Sequence, residues 1–267
     1  MDEDVWASAS LADRFADDAY DSVKGYMRTY VLHHQLLEHL PPPPVAVLDV
    51  GGGAGHQSFP LARAGYEVTL LDSSTPMLDK ARGRLSELPD GTQRRVTLVQ
   101  GDGEKAEEAL SGRRFAAVLC HGVLGYLEPE PLIGQLSRCA EEGGIVSIMA
   151  GNADTMAVRP ALEQRWEEAL ASFDTTAATI AELGVRGRSH TVTDVGDRVR
   201  GHGVEPVRWY GTWLWADLLE FSGVEVDRTD PARLAAMAEV ELEASRRDPY
   251  RRFSRAFHLV GRKAEPR

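Results

Sequence analysis

Residues 45–58, VAVLDVGGGAGHQS, place Asp49, Gly51, Gly53 and Gly55 at two-residue intervals behind a short apolar run. Glycines are needed where a ligand approaches the backbone closely and where a turn takes φ angles that a Cβ forbids. A helix that starts just after such a turn points its free N–H groups at whatever binds there. Asp49, Gly51, Gly52, Gly53 and Gly55 are therefore candidate contacts for a nucleotide-type cofactor, and a plain tight turn is the alternative reading of the same glycines. A dinucleotide fingerprint runs GxGxxG, its third glycine letting the helix pack beneath a pyrophosphate. Here the glycines continue as GxGxG, with an aspartate two residues before the first.

Four further candidates follow in chain order. Asp72 ends the apolar run EVTLLD, where a carboxylate can accept hydrogen bonds from both hydroxyls of an adenosine ribose. Its other reading is a helix cap, although Ser73 and Ser74 are available for that role. Met77, expected one turn into the next helix, can face an adenine with its thioether or simply fill the core. Gly101-Asp102-Gly103 offers an acidic side chain and a backbone N–H after the third strand, or an ordinary Asp-Gly turn. His121 falls just past the fourth strand, AAVLC, at the edge where open α/β sheets bind ligands.

The elements that must position these groups alternate. Helical spacing of Tyr26, Tyr30, Leu32, Leu36 and Leu37 predicts a helix within 8–40, ended by Pro41 to Pro44. Strands are expected at 45–50, 66–71, 95–100, 115–120 and 144–150, and helices at 55–65, 75–88 and 130–140. That pattern predicts an α/β fold, a doubly wound Rossmann-like sheet that is mostly parallel. Beyond residue 151 the expectations are a helix at 154–171, an irregular insert or lid at 174–190, a strand at 204–215 and a helix at 231–246. FSRAFHLVGRK alternates apolar and polar residues and predicts a half-exposed antiparallel edge strand. One domain is expected over 1–267: an N-terminal helical cap at 1–40, a cofactor-binding core at 45–150, a helical insert at 151–203, and C-terminal strands and a helix at 204–267.

The chain has 267 residues, 43% of them hydrophobic, with 41 acidic against 30 basic residues and a net charge of −11. Such a charge repels polyanions at long range, so nucleic acid is not the default partner; a local basic patch at 185–190, with Arg198 and Arg200, is the counter-signal. No apolar run reaches the ~20 residues that span a bilayer, and the acidic start MDEDVWASAS has no signal-peptide pattern, so a cytoplasmic protein without membrane contact is expected. Cys120 and Cys139 read as reduced, buried thiols, and no metal set is expected.

The Asp-x-Gly-x-Gly-x-Gly loop followed by Asp72, Asp102 and His121 resembles the class I S-adenosylmethionine-dependent methyltransferases. Within them, VLDVGGGAGH, LLDSSTPMLDKA, VLCHGVLGYL and SIMAGNA are similar to the bacterial enzymes that methylate the carboxymethoxy group of tRNA wobble uridine. The N-terminal Tyr20-x-x-x-Lys24-Gly25-x-x-Arg28 is similar to that family's entry segment. The resemblance implies S-adenosylmethionine as cofactor, held by Asp49, Gly51, Gly52, Gly53, Gly55, Asp72, Ser73, Met77, Asp102, Gly103 and His121. Two positions depart from the family: Asp17 stands where it carries an arginine near the cofactor carboxylate, and Trp213 where it carries a basic residue.

Methyl transfer from a sulfonium is an in-line displacement, accelerated mainly by positioning and desolvation. A carboxylate acceptor needs no general base; a hydroxyl or amine does, with His121 or His56 as candidates. Tyr20, Tyr126, Trp209 and Tyr210 are candidate walls of an acceptor pocket, and Lys24 and Arg28 candidate partners of an anionic group. A small-molecule acceptor is the first expectation, tRNA the second, and a non-catalytic binding module the third; the oligomeric state is open.

Overall fold

The computed structural model describes residues 22–180, 185–224 and 226–265. Seven strands form one sheet in the order β3-β2-β1-β4-β5-β9-β8. These are β1 (Ala46–Val50), β2 (Glu67–Asp72), β3 (Val96–Gln100), β4 (Phe115–His121), β5 (Ala140–Gly151), β8 (Val204–Thr212) and β9 (Ala256–Lys263). β1 to β5 are mutually parallel, and β9 runs antiparallel between β5 and β8. The sheet is thus doubly wound, with its order reversing between β1 and β4, and there the carboxyl ends of the strands open a crevice.

The helices are α1 (Val23–Leu37), α2 (Ser58–Arg63), α3 (Thr75–Ser86), α4 (Pro129–Cys139), α5 (Val192–Gly201), α6 (Trp215–Ser222) and α7 (Pro231–Arg246), with shorter turns between them. The two-residue period of the strands sorts side chains between two cores. Leu48, Val50, Val118, Cys120, Val146, Ile148, Phe257 and Leu259 pack with Leu132, Ile133 and Leu136 of α4 and Val195 and Val199 of α5. Val47, Ala117, Leu119, Ile145, Tyr210 and Val260 pack on the other face with Leu36 of α1 and Leu61 of α2. Cys120 and Cys139 are free and buried, as expected.

Several expectations change. FSRAFHLVGRK forms an inner strand rather than an edge: β9 is buried on both faces from Ala256 to Gly261, and β8 takes the edge. Its alternating polar residues, His258 above all, are satisfied inside the core. The helix expected at 154–171 breaks into a 3-10 turn at Ala153–Thr155 and short helices at Val158–Leu162 and Trp166–Ala171. The irregular insert contains an antiparallel hairpin, β6 (Ala177–Ile180) with β7 (Val185–Arg188), so the insert is not wholly helical. Backbone bonds tie it to the carboxyl edge of the sheet: Arg188 N–H donates to the Gly125 carbonyl at 2.9 Å and His190 N–H to the Gly151 carbonyl at 2.9 Å. The helix at 231–246 is as expected, starting at Pro231 behind the Asp230 cap. Among the described residues no helix is long and apolar enough to cross a membrane.

At the end of β8 the chain turns through Trp213, a non-glycine residue at φ 62°, into α6. Glu241 of α7, only 1% exposed, holds this turn by accepting from the backbone N–H groups of Leu214, Trp215 and Ala216. Burial raises the Glu241 carboxyl above its ordinary range, and the three donors counter that. Glu241→Ala leaves those donors without a side-chain acceptor and is expected to lower the unfolding free energy by about 3 kcal/mol. Urea denaturation measures this; a loss below about 1 kcal/mol would show that the cap is dispensable.

Candidate functional site

The loop after β1 is confined by its neighbours. Gly51 has φ 68°, its N–H donates to the Leu71 carbonyl at 2.7 Å, and a Cβ there would stand 2.3 Å from Val123 Cγ2. Gly55, at φ 83°, lies over the Phe59 ring, which a Cβ would approach to 2.3 Å. A Cβ on Gly52 would come within 2.9 Å of an Asp49 carboxylate oxygen. The glycines therefore serve two needs, left-handed turns and close contact with β4's following loop and α2.

Asp49 lies under this loop rather than in the open. It is 2% exposed, and its Oδ2 accepts from the Ser58 hydroxyl at 2.7 Å, joining β1 to α2. Burial raises its pKa from an ordinary 3.8 to about 6; the Ser58 hydrogen bond and the Arg28 guanidinium oppose that rise, and the Asp72 charge adds to it. Arg28, on α1 and 5% exposed, donates from Nη2 to the His121 carbonyl at 3.2 Å. One cation thus reaches from the N-terminal helix to the carboxyl ends of β1 and β4.

Asp72 crosses the same crevice. Its Oδ2 accepts from Gly53 N–H at 2.8 Å and its Oδ1 from Ser74 N–H at 2.9 Å. The α3 cap is Ser74, whose hydroxyl accepts from Met77 N–H, while Ser73 is exposed at the strand end. Met77 Cε lies 3.5 Å from where a Gly53 Cβ would be, so the Met77 side chain and the bare Gly53 backbone stand together next to Asp72. Asp102 is exposed and caps the following turn through Glu104 N–H at 2.9 Å, and Gly103 packs on Val50, which a Cβ would approach to 2.9 Å.

His121 closes the site on the β4 side. Its Nε2 pairs with the Ser147 hydroxyl at 2.8 Å, and its Nδ1 is buried with no hydrogen-bond partner among the described residues. Burial, then His258 and Arg28, hold its pKa well below the ordinary imidazole value, so the ring is neutral. His56 has its Nε2 against the Arg84 guanidinium, which occupies that lone pair.

The proposed acceptor residues scatter. Lys24 bonds Asp217 at 2.7 Å and Glu220 at 3.3 Å, so its charge is already matched within the protein. Tyr210 is fully buried, and its hydroxyl pairs with Glu38 and His39; it belongs to the core and offers no open wall. Trp209, on the opposite face of edge strand β8, lies under the Arg251 guanidinium, 4.1 Å from ring centroid to Cζ. Tyr126 is half-buried in the loop after β4 to which the insert is tied. Tyr20 and Asp17 lie outside the described residues. Sequence reasoning missed Ser147 and His258, whose only signal was a polar residue at alternate positions of two apolar strands.

Against known proteins, residues 48–146 match the family described as Methyltransferase domain. The chain is 28% identical over 149 residues to the tRNA 5-carboxymethoxyuridine methyltransferase of Escherichia coli K12, covering 54% of this chain and 55% of that protein. It is 33% identical over 105 residues to a ubiquinone/menaquinone biosynthesis C-methyltransferase of Bradyrhizobium, covering 38% and 40%. The chain thus spans about half the length of the curated relatives it matches. Among solved structures, the magnesium protoporphyrin IX methyltransferase of Synechocystis PCC 6803 with bound SAH superposes with TM-score 0.58 at 19% identity, over 90% of this chain and 84% of that one.

Asp49 provides a test of the buried electrostatics. Because its folded pKa is raised, its contribution to stability is fully present below about pH 4 and is lost as pH rises through about 6. Asp49→Asn keeps a neutral acceptor at every pH. The stability of the variant relative to wild type is expected to rise between pH 4 and 7 by up to about 3 kcal/mol. Denaturation at several pH values reads this difference, and a pH-independent difference would contradict the burial of an ionisable Asp49.

Proposed function

Taking residues 48–146 as a class I S-adenosylmethionine-dependent methyltransferase domain, we propose that this protein transfers a methyl group to an oxygen or nitrogen acceptor on a small molecule. The observation that carries the cofactor reading is the Asp72–Gly53 contact beside Met77. It brings a carboxylate, a bare backbone and the Met77 side chain together at the carboxyl end of β2, the strand next to the β1–β4 reversal. Asp72 then accepts from the ribose hydroxyls, Met77 and the residues around Asp102 flank the adenine, and Arg28 meets the carboxylate of the amino-acid half. Gly51, Gly52 and Gly55 let the backbone approach that half closely, and Asp49 acts from beneath through the loop. Bound there, S-adenosylmethionine supplies an electrophilic methyl on a sulfonium.

The acceptor chemistry follows from the bases on hand. His121 is neutral but held far below ordinary imidazole basicity, and the His56 lone pair is already engaged. Both are poor general bases. The site therefore suits an acceptor already nucleophilic near neutral pH, a carboxylate first among them, with rate gained by alignment and exclusion of water. The insert and the loop carrying Tyr126 stand at the same edge of the sheet and are the natural cover for such an acceptor.

The second reading is a tRNA wobble-uridine methyltransferase, supported by the 28% identity to the E. coli enzyme. What favours the small molecule is the state of the basic residues. Arg188 stands 3.6 Å from Glu128; Arg198 pairs with Asp194 and Glu130, and Arg200 with Asp197 and Glu205. Cations matched by carboxylates make a weak track for phosphates.

Asp72→Ala is expected to weaken S-adenosylmethionine binding at least tenfold, on the order of 1.5–3 kcal/mol for lost hydrogen bonds to a charged group. Titration calorimetry decides this, with thermal unfolding as the folding control; an unchanged affinity removes Asp72 from the ribose. Radiolabelled methyl transfer should label a small-molecule fraction of a metabolite extract, whereas label in tRNA alone would replace the first reading by the second.

A further inference from the structure

On the α1 side of the sheet, the strand period lines up polar groups from three adjacent strands and a helix. His121 Nε2 is 2.8 Å from Ser147 Oγ, Ser147 Oγ is 2.7 Å from His258 Nε2, and His258 Nδ1 is 2.7 Å from Gln35 Oε1. Gln35 Nε2 donates to the Gly211 carbonyl at 3.2 Å and to Ser245 Oγ at 3.0 Å. Gln35, Ser147 and His258 are fully buried.

The direction of every proton in this chain is determined. A backbone carbonyl only accepts, and Ser245 spends its own proton on the Leu242 carbonyl at 2.6 Å, so Gln35 must face both with its NH2. Its Oε1 therefore accepts, and His258 must carry its proton on Nδ1. The bare Nε2 of His258 then takes the Ser147 proton, and Ser147 Oγ accepts from His121 Nε2–H. Both rings hold a single proton, because burial first, then the neighbouring imidazole (His258 for His121, His39 for His258) and the Arg28 guanidinium oppose a second. The last valence in the chain is His121 Nδ1, a lone pair, buried and without a partner among the described residues. An unsatisfied buried acceptor costs stability unless a ligand uses it.

We propose that Gln35, His258 and Ser147 are positioning residues that lock His121 as its Nε2–H tautomer, so that its Nδ1 accepts a hydrogen bond from the ammonium of the cofactor's amino-acid half. The inference rests on the cofactor reading above. It complements Arg28, which donates to the His121 carbonyl and stands beside the same strand end. A cation for the carboxylate and a neutral acceptor for the ammonium together match an amino-acid zwitterion. They also explain why a histidine at this position is kept from becoming charged: an imidazolium would repel the ammonium.

Two probes separate this claim from the cofactor reading: S-adenosylhomocysteine, which carries the amino-acid half, and methylthioadenosine, which lacks it. Ser147→Ala is expected to weaken S-adenosylhomocysteine about tenfold while leaving methylthioadenosine unchanged, and Ser147→Thr, which keeps the hydroxyl, should restore the affinity. In the wild type, 15N spectra should show His121 Nδ1 unprotonated, with its resonance moving on addition of S-adenosylhomocysteine but not of methylthioadenosine. Equal weakening of both probes, or a His121 protonated on Nδ1, would overturn the relay while leaving the cofactor reading in place. Failure of the wild type to bind either probe would overturn both.

Discussion

The turn between β1 and α2 closes only where backbone meets its neighbours without side chains between them. Gly51 fits between the Leu71 carbonyl and Val123, Gly55 sits on Phe59, and Gly53 gives its N–H to Asp72. These contacts bring the carboxyl ends of β1, β2 and β4 to one point. A side chain at Gly51 would meet Val123 and one at Gly55 would meet Phe59, so either would push the loop off the strands and draw Gly53 N–H away from Asp72. The sheet order, reversing between β1 and β4, supplies the crevice beside which this turn sits.

Charge in this crevice is arranged with little help from water. Asp49 is buried beneath the loop, Arg28 reaches in from α1, and His121 and His258 are kept neutral by their surroundings. In a low-dielectric site one cation, one buried carboxylate and two neutral imidazoles specify a ligand far more sharply than the same groups at the surface. Asp49 and Arg28 also fasten the first helix and the glycine loop to the same strand ends.

Much of this site was legible in the sequence. Asp49, the glycines, Asp72 and Met77 converge because their spacing follows the βα repeat, and a repeat of short apolar runs is what a single sequence displays best. The helix expected at 231–246 is present over Pro231–Arg246. α5 falls within the helical insert expected at 151–203, whereas α6 was not anticipated, because the aromatic run before it reads as a continuing strand. The inner place of β9 was hidden because His258 resembles a solvent-facing residue until its partners on β5 and α1 are known. Ser147 and Gln35 were invisible for the same reason. A buried polar network is defined by contacts across more than 100 residues, which no local pattern records.

The central claim, that the loop and Asp72 hold the adenosine of S-adenosylmethionine at the carboxyl edge of β1 and β2, is tested most directly by a crystal structure with S-adenosylhomocysteine. It predicts both ribose hydroxyls within hydrogen-bond distance of Asp72, with the adenine against Met77 and the amino-acid half over Gly51 to Gly53. A ligand seated away from Asp72, or density for none at saturating concentration, would contradict it.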